Sequence, residues 1–284
     1  MKFLFDIGGS KMRISATEDG ESFCDPVIHR TPKTAEDGVE LMSHTVRSMV
    51  ADKEIEGFWG GVTGVWNEKR DRLVYSPNMK GWVGKDIPAL FKEKFSAPLV
   101  VGNDADVVGL GEVHHGAGRG SSICVYITIS TGVGGARIVN GRIDVAKSGF
   151  EPGHHIINYT PLEEQGAGSD EKYSSTFEGH VSGTALKRMM GVDPVEIEEP
   201  EVWERLAFQS AVGIYNAILF WSPDTVVVGG SMVVGDPDIP IDRIRYHIEK
   251  FGDFLPELPK IKKAELGAIG GIYGALVLSR QVEN

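Results

Sequence analysis

A strand–glycine turn–strand unit occurs twice in this chain, half its length apart, and this repetition constrains the fold more than any other feature. Lys2–Ile7 is β-rich and runs into Gly8-Gly9. A second strand follows at Lys11–Thr17, then a turn at Asp19-Gly20 and a third strand over residues 22–28. The pattern returns with a strand over 123–130, the turn Thr131-Gly132-Val133-Gly134-Gly135, a strand over 136–139, a turn at Asn140-Gly141 and a strand over 142–145. Self-similarity at half-chain spacing points to duplication into two similar domains. The 284 residues are enough for two medium-sized domains, and 36 of them are glycine, about 13% against an average of roughly 7%. An excess of glycine without a short period means tight turns and close backbone approaches.

Helices fall between these units. Thr34 can cap a helix to about residue 51, with Val39, Met42, Val46 and Met49 on one face. Residues 56–63 read as a strand, 86–95 as a helix with Pro88 in its first turn, and 98–101 as a strand. Asn103-Asp104 then opens a helix to about His114. In the second half, Ser182 caps a helix that stops at Gly191, 200–221 is a long helix, 225–228 an apolar strand, and 268–278 a glycine-spaced helix. Strands alternating with helices imply an α/β fold with buried parallel strands. Residues 160–176 are polar and read as a solvated loop.

The net charge of −11 argues against nucleic acid and against an anionic membrane surface as partners. It does not exclude a nucleotide, whose phosphates can be held by backbone N–H groups and Mg²⁺. The two cysteines, Cys24 and Cys124, form no CxxC pair, so a cysteine-built zinc site is not expected and both read as buried free thiols. Asp6 interrupts the short apolar run at the start, and no stretch of about 18 apolar residues occurs. The cytoplasm is the expected compartment.

Three glycine-rich turns follow strands: Asp6-Ile7-Gly8-Gly9-Ser10-Lys11, Thr131–Gly135 and Gly229-Gly230-Ser231. Without side chains in the way, consecutive N–H groups can meet phosphate oxygens; glycine serves plain hairpin turns equally well. Three such turns in one chain, two of them matched across its halves, favour the phosphate reading. Neither GxxxxGK[ST] nor a post-strand GxGxxG is present, so this is neither a P-loop nor a Rossmann site. The first two turns lead into further strands, which makes each a hairpin clamp. Asp6, at the end of its strand, can hold Mg²⁺ through water or cap the turn, while Ser10 and Lys11 offer a hydroxyl and a charge. Asn103-Asp104 serves equally as a helix cap or as a sugar-binding amide beside a general base. Glu151, His154, Glu178 and His180 can bond sugar hydroxyls or simply each other.

On these residues the sequence resembles the ROK family of sugar kinases, within the actin-like ATPase superfamily. The likeness runs along nearly the whole chain: Asp6–Lys11 is similar to the first phosphate motif, Pro77-Asn78-Met79-Lys80-Gly81-Trp82 to a sugar loop, and Asn103-Asp104-Ala105-Asp106 to the catalytic signature. Ser130–Gly135 resembles the second phosphate motif, Glu151–His154 the ExGH motif, 178–183 a later glutamate stretch, and Gly229-Gly230-Ser231 the adenosine-side turn. The resemblance implies two RNase H-like domains around a central cleft. These would span residues 1–108 and 109–267, with a helix at 268–284 packing back on the first. It implies Asp104 as base, with Asn78, Asn103, Glu151, His154 and Glu178 on the sugar. ATP would lie on Asp6, Gly8, Gly9, Ser10, Lys11, Thr131, Gly132, Gly134, Gly135, Gly229, Gly230 and Ser231, with Mg²⁺ at Asp6. A homodimer is implied as well. Many relatives carry a cysteine-rich zinc motif where this chain has residues 158–177 without cysteine, so no structural zinc is expected.

The activity this implies is phosphorylation of a hexose or N-acyl amino-sugar hydroxyl by ATP. A catalytically weak sugar-binding regulator on the same scaffold is the alternative, disfavoured because a pure binder need not keep Asp6, Asn103 and Asp104 together. Polyphosphate as donor is disfavoured by the acidic charge.

Overall fold

The computed structural model describes residues 1–50, 53–147, 149–158, 175–252 and 254–281. They form two compact units. One comprises Met1–His115, Val145–Gly149 and Ala268–Asn284; the other comprises Gly116–Asp144 and Phe150–Gly267.

The first unit is built on a five-stranded sheet of β1 (Lys2–Ile7), β2 (Lys11–Thr17), β3 (Val27–Arg30), β4 (Gly57–Val62) and β7 (Leu99–Asn103), in the order β3-β2-β1-β4-β7. A two-stranded ribbon, β5 (Val65–Trp66) and β6 (Leu73–Tyr75), stands apart. Strands β3, β2 and β1 run antiparallel as successive hairpins, whereas β1, β4 and β7 are parallel. Both faces of β1 are buried, which explains why its sequence alternates so poorly. Phe3, Phe5 and Ile7 join Phe58, Phe91 and Trp82 in one core, beside helices α1 (Ala35–Val50) and α2 (Ile87–Phe95). Leu4 joins Trp59, Val107, Ile272 and Leu276 in another, with α3 (Asp104–His115) and the C-terminal helix α9 (Gly270–Gln281). By the two-residue strand period, Asp6 belongs to the face of Leu4.

Local chemistry sets the boundaries. Thr34 Oγ1 accepts from Asp37 N at the start of α1. Asp86 caps α2 through Ala89 N at 2.9 Å, with Pro88 in the first turn.

The second unit repeats the sheet with β8 (Ile123–Ile129), β9 (Val133–Val139), β10 (Arg142–Ile143), β11 (Thr225–Gly229) and β12 (Lys260–Lys263), ordered β10-β9-β8-β11-β12. Directions match as well: three antiparallel strands followed by two parallel additions. The duplication expected from the glycine turns is therefore present as two sheets of one topology. Its helices are α4 (Phe177–Val181), α5 (Gly183–Met190), α6 (Pro200–Trp221), α7 (Ser231–Val234) and α8 (Ile241–Glu249). Ser182 Oγ accepts from Ala185 N to start α5, and Gly191, at φ 78°, ends it.

The third strand lies a few residues later than expected, because Asp25-Pro26 interrupts the stretch and proline donates no ladder bond. Cys124 is buried as expected. Cys24 is exposed on the segment entering β3, and both thiols are free. Residues 159–174, which include most of the expected polar loop and of the cysteine-free stretch, lie outside the described residues. No helix among the described residues is long and apolar enough to cross a membrane.

Candidate active site

In the first unit, the chemistry gathers at the C-terminal tips of the parallel strands, the usual ligand position in α/β folds. Asp6 is the penultimate residue of β1 and is 8% exposed. The hairpin register sets Arg13 of β2 opposite it, and Arg13 Nη1 donates to Asp6 Oδ2 at 3.0 Å. The first glycine turn closes with Gly8 N donating to Lys11 O at 2.9 Å, and Thr31 Oγ1 donates to Gly8 O at 2.6 Å. Asn78 packs against this turn: a Cβ at Gly9 would stand 2.7 Å from Asn78 Cβ. Ser10 and Lys11 are exposed.

Asn103 ends β7 and Asp104 begins α3. The Asn103 side chain realises the capping role: Oδ1 accepts from Ala105 N at 2.8 Å, while Nδ2 donates to Gly64 O at 3.0 Å. Asp104 Oδ1 accepts from its neighbour's N–H, Ala105 N, at 3.0 Å, and the Thr63 hydroxyl also bonds its carboxylate. Asp106, 3% exposed, has Arg70 Nη2 at 3.8 Å from Oδ2.

These three carboxyls share one electrostatic environment. Burial pushes Asp6 up to about 6; Arg13 opposes the shift and the neighbouring Asp104 charge adds to it. Burial likewise pushes Asp106 up to about 6, with Arg70 opposing and Asp104 adding. Asp104 is raised by burial, against the bonds from Thr63 and Ala105. Carboxyls raised together in this way at strand tips mark a candidate for proton or cation chemistry.

In the second unit, Ser130 N donates to Gly132 O at 2.8 Å to close the second glycine turn. Glu178, on the first turn of α4, reaches this turn, its Oε2 accepting from Val133 N at 2.7 Å. Gly183 N donates to Ser130 O at 2.7 Å. Glu151 precedes the short 3-10 helix Pro152–His154, where Gly135 packs against the Pro152 ring. Gly230 opens α7 at φ 88° with its Cα against Ile129 O, so the third glycine turn abuts the strand that feeds the second. His180 Nδ1 faces Gln209 Nε2 at 3.2 Å, while His180 Nε2 and Gln209 Oε1 are buried with no hydrogen-bond partner among the described residues.

The structure thus groups Asp6, Gly8, Gly9, Asn78, Asn103 and Asp104 within the first unit. Thr131, Gly132, Gly134, Gly135, Glu178, Gly229, Gly230 and Ser231, with Glu151 and His154 on the adjoining segment, fall within the second. Sequence reasoning missed Arg13, Thr63, Arg70 and Asp106 as site residues. Arg13 was discoverable from hairpin register, since a tight turn after Ile7 places it opposite Asp6. Arg70 lies in a loop at φ 52° and carries no comparable signal.

Among curated proteins, the chain is 28% identical to a fructokinase of Zymomonas mobilis over 212 residues, covering 72% of this chain and 69% of the relative. It is 24% identical to a glucokinase of Streptomyces coelicolor over 312 residues, covering 97% and 96%. A ROK family glucokinase from Streptomyces griseus, solved with glucose and AMPPNP, superposes with a TM-score of 0.78 at 24% identity, covering 99% of both chains. The ROK family matches residues 4–282, nearly the whole chain, and with the duplicated sheet and its paired glycine turns this shows that the chain belongs to the ROK family.

Proposed function

We propose that this protein transfers the γ-phosphate of ATP to a hydroxyl of a hexose or N-acyl amino sugar, with Asp104 as general base. The observation that carries the reading is the setting of Asp104. It stands at a strand tip and helix start, is held by Thr63 and Ala105, and is raised by burial within a group of carboxyls. In phosphoryl transfer the base must orient the acceptor hydroxyl and take its proton, and a raised carboxylate does so more readily than a fully solvated one. The resemblance of the motifs and the names of the relatives support the same reading.

On this reading Asn103 keeps one amide N–H for a sugar hydroxyl, since its described bonds use one N–H and the carbonyl oxygen. Asn78, Glu151, His154 and Glu178 complete the sugar contacts. The backbones of Gly8, Gly9, Thr131, Gly132, Gly134 and Gly135 bind phosphate, aided by Ser10 and Lys11, with Gly229, Gly230 and Ser231 toward the adenosine. The residues present fit a divalent ion. Burial raises both Asp6 and Asp104, and the Asp104 charge raises Asp6 further, so a cation held by Asp6 would relieve the cost of ionisation. Among the described residues no cluster of three metal-binding side chains occurs, so phosphate and water would supply most ligands, with Asp6 acting through water. A Mg²⁺ ion held there would supply charge neutralisation of the phosphates.

The test is ADP release with Mg·ATP over glucose, fructose, mannose and N-acetylmannosamine, alongside calorimetric sugar binding. Turnover with at least one sugar is expected. Sugar binding without turnover would instead favour the regulator.

A further inference from the structure

The contact between Glu178 and the second glycine turn does more than place a sugar-binding residue. The Val133 N–H is one of the donors that a phosphate turn would offer to an anion, and the Glu178 carboxylate already takes it, at 2.7 Å. The fit is tight. A Cβ at Gly132 would stand 2.6 Å from Glu178 Oε2, so only glycine lets the carboxylate approach the turn this closely. A second bond, Gly183 N to Ser130 O at 2.7 Å, ties the far end of the same segment to the strand end before the turn. Thr176 Oγ1 accepts from Gly179 N and fixes the start of α4, which orients Glu178. A carboxylate on a backbone N–H mimics the charge and geometry of a phosphate oxygen.

We propose that Glu178 is a positioning residue that acts as an internal stand-in for phosphate, holding the second turn against donor ATP until sugar draws the carboxylate away. The proposal rests on the kinase reading for the sugar contact alone. Its consequence is ordered binding: sugar hydroxyls compete for Glu178, the Val133 N–H is released, and the turn then accepts the donor phosphate. Without sugar, ATP binds weakly and little is lost to water as acceptor. Reciprocity requires that nucleotide tighten sugar binding by the same factor.

The experiment is calorimetric titration of Mg·AMPPNP into wild type, Glu178→Ala and Glu178→Gln, without sugar and with the best-turned-over sugar of the panel. Saturating sugar is expected to tighten wild-type AMPPNP binding about tenfold, within the usual range of coupling. Glu178→Ala should bind AMPPNP about that much tighter than wild type in the absence of sugar, lose the coupling, and show sugar-independent ATP hydrolysis. Glu178→Gln keeps an oxygen for the Val133 N–H and should stay nearer wild type. Equal gains in the Ala and Gln variants would mean simple charge repulsion and overturn the proposal, as would Glu178→Ala binding AMPPNP no tighter than wild type. If Glu178→Ala does not fold, absence of sugar coupling in wild type overturns it. If no sugar in the panel is phosphorylated, the kinase reading fails, yet the sugar-free AMPPNP affinities of the three proteins still decide whether Glu178 blocks the turn.

Discussion

The three aspartates of the candidate site make opposite demands on the protein. Asp6 and Asp106 titrate near 6 when folded, against an ordinary 3.8, so the folded state holds their protons more tightly than the unfolded chain does. Their contribution to stability is complete below the unfolded value and is lost as pH rises through about 6. Asp106→Asn should therefore raise stability most at about pH 7.5, less at about pH 5, and hardly at all below the ordinary 3.8, a trend that urea unfolding across this range will read. Of these groups Asp6, at the metal, and Asp104, the base, must ionise for catalysis, so kcat/KM should fall as pH drops through about 6, measurable as a pH–rate profile with a saturating metal supply. A flat profile between about pH 5 and 7 would detach the carboxyl group from the chemistry. At this scale the sequence announced Asp6 and Asn103-Asp104 by position alone, at strand ends beside glycine or at a helix start. It was silent on their energies, since burial and the Asp6–Asp104 repulsion arise only when separate strands meet.

At the scale of elements, the C-terminal helix is decisive because it is made to come close. Gly271 of α9 faces Asp6, where a Cβ would stand 2.6 Å from the carboxyl carbon. One turn on, Gly274 lies against the carbonyl of Val107 in α3, and Gly111 of α3 lies against the carbonyl of Gly270. The glycine spacing in this helix was visible in the sequence, but its meaning, a backbone-to-backbone crossing beneath the site, was not. Gly274→Ala forces a methyl into a backbone oxygen, which no side-chain rotation relieves. It should destabilise the protein by about 1–3 kcal/mol or more, read by urea unfolding, and weaken turnover through displacement of α3 and its Asp104. Full stability and activity in this variant would show that the crossing tolerates separation. Other elements were legible to different degrees. The cap at Ser182 and the stop at Gly191 follow from local chemistry alone. By contrast β12, Lys260–Lys263, has a lysine-rich sequence with no strand pattern and is a strand because β11 pairs with it. Helix α8 buries Ile244 and Ile248 on one face, a helical spacing that a longer periodicity search would have found.

For the whole molecule, the duplication was the most legible feature, because two matched turns half a chain apart survive in sequence when most other signals of common topology do not. The dimer is a proposal from the resemblance; light scattering should give twice the 30.9 kDa chain mass, and a monomer would contradict the dimer. Metal analysis of the purified protein should find no stoichiometric zinc, because residues 158–177 offer no cysteine; one zinc per chain would contradict that reading. The central claim, that this molecule moves a phosphoryl group with Asp104 as base, is tested most directly by comparing steady-state turnover and sugar affinity in wild type and Asp104→Asn. The account predicts a fall in kcat of about 10²–10⁴-fold with sugar binding retained. Wild-type turnover in Asp104→Asn would contradict it.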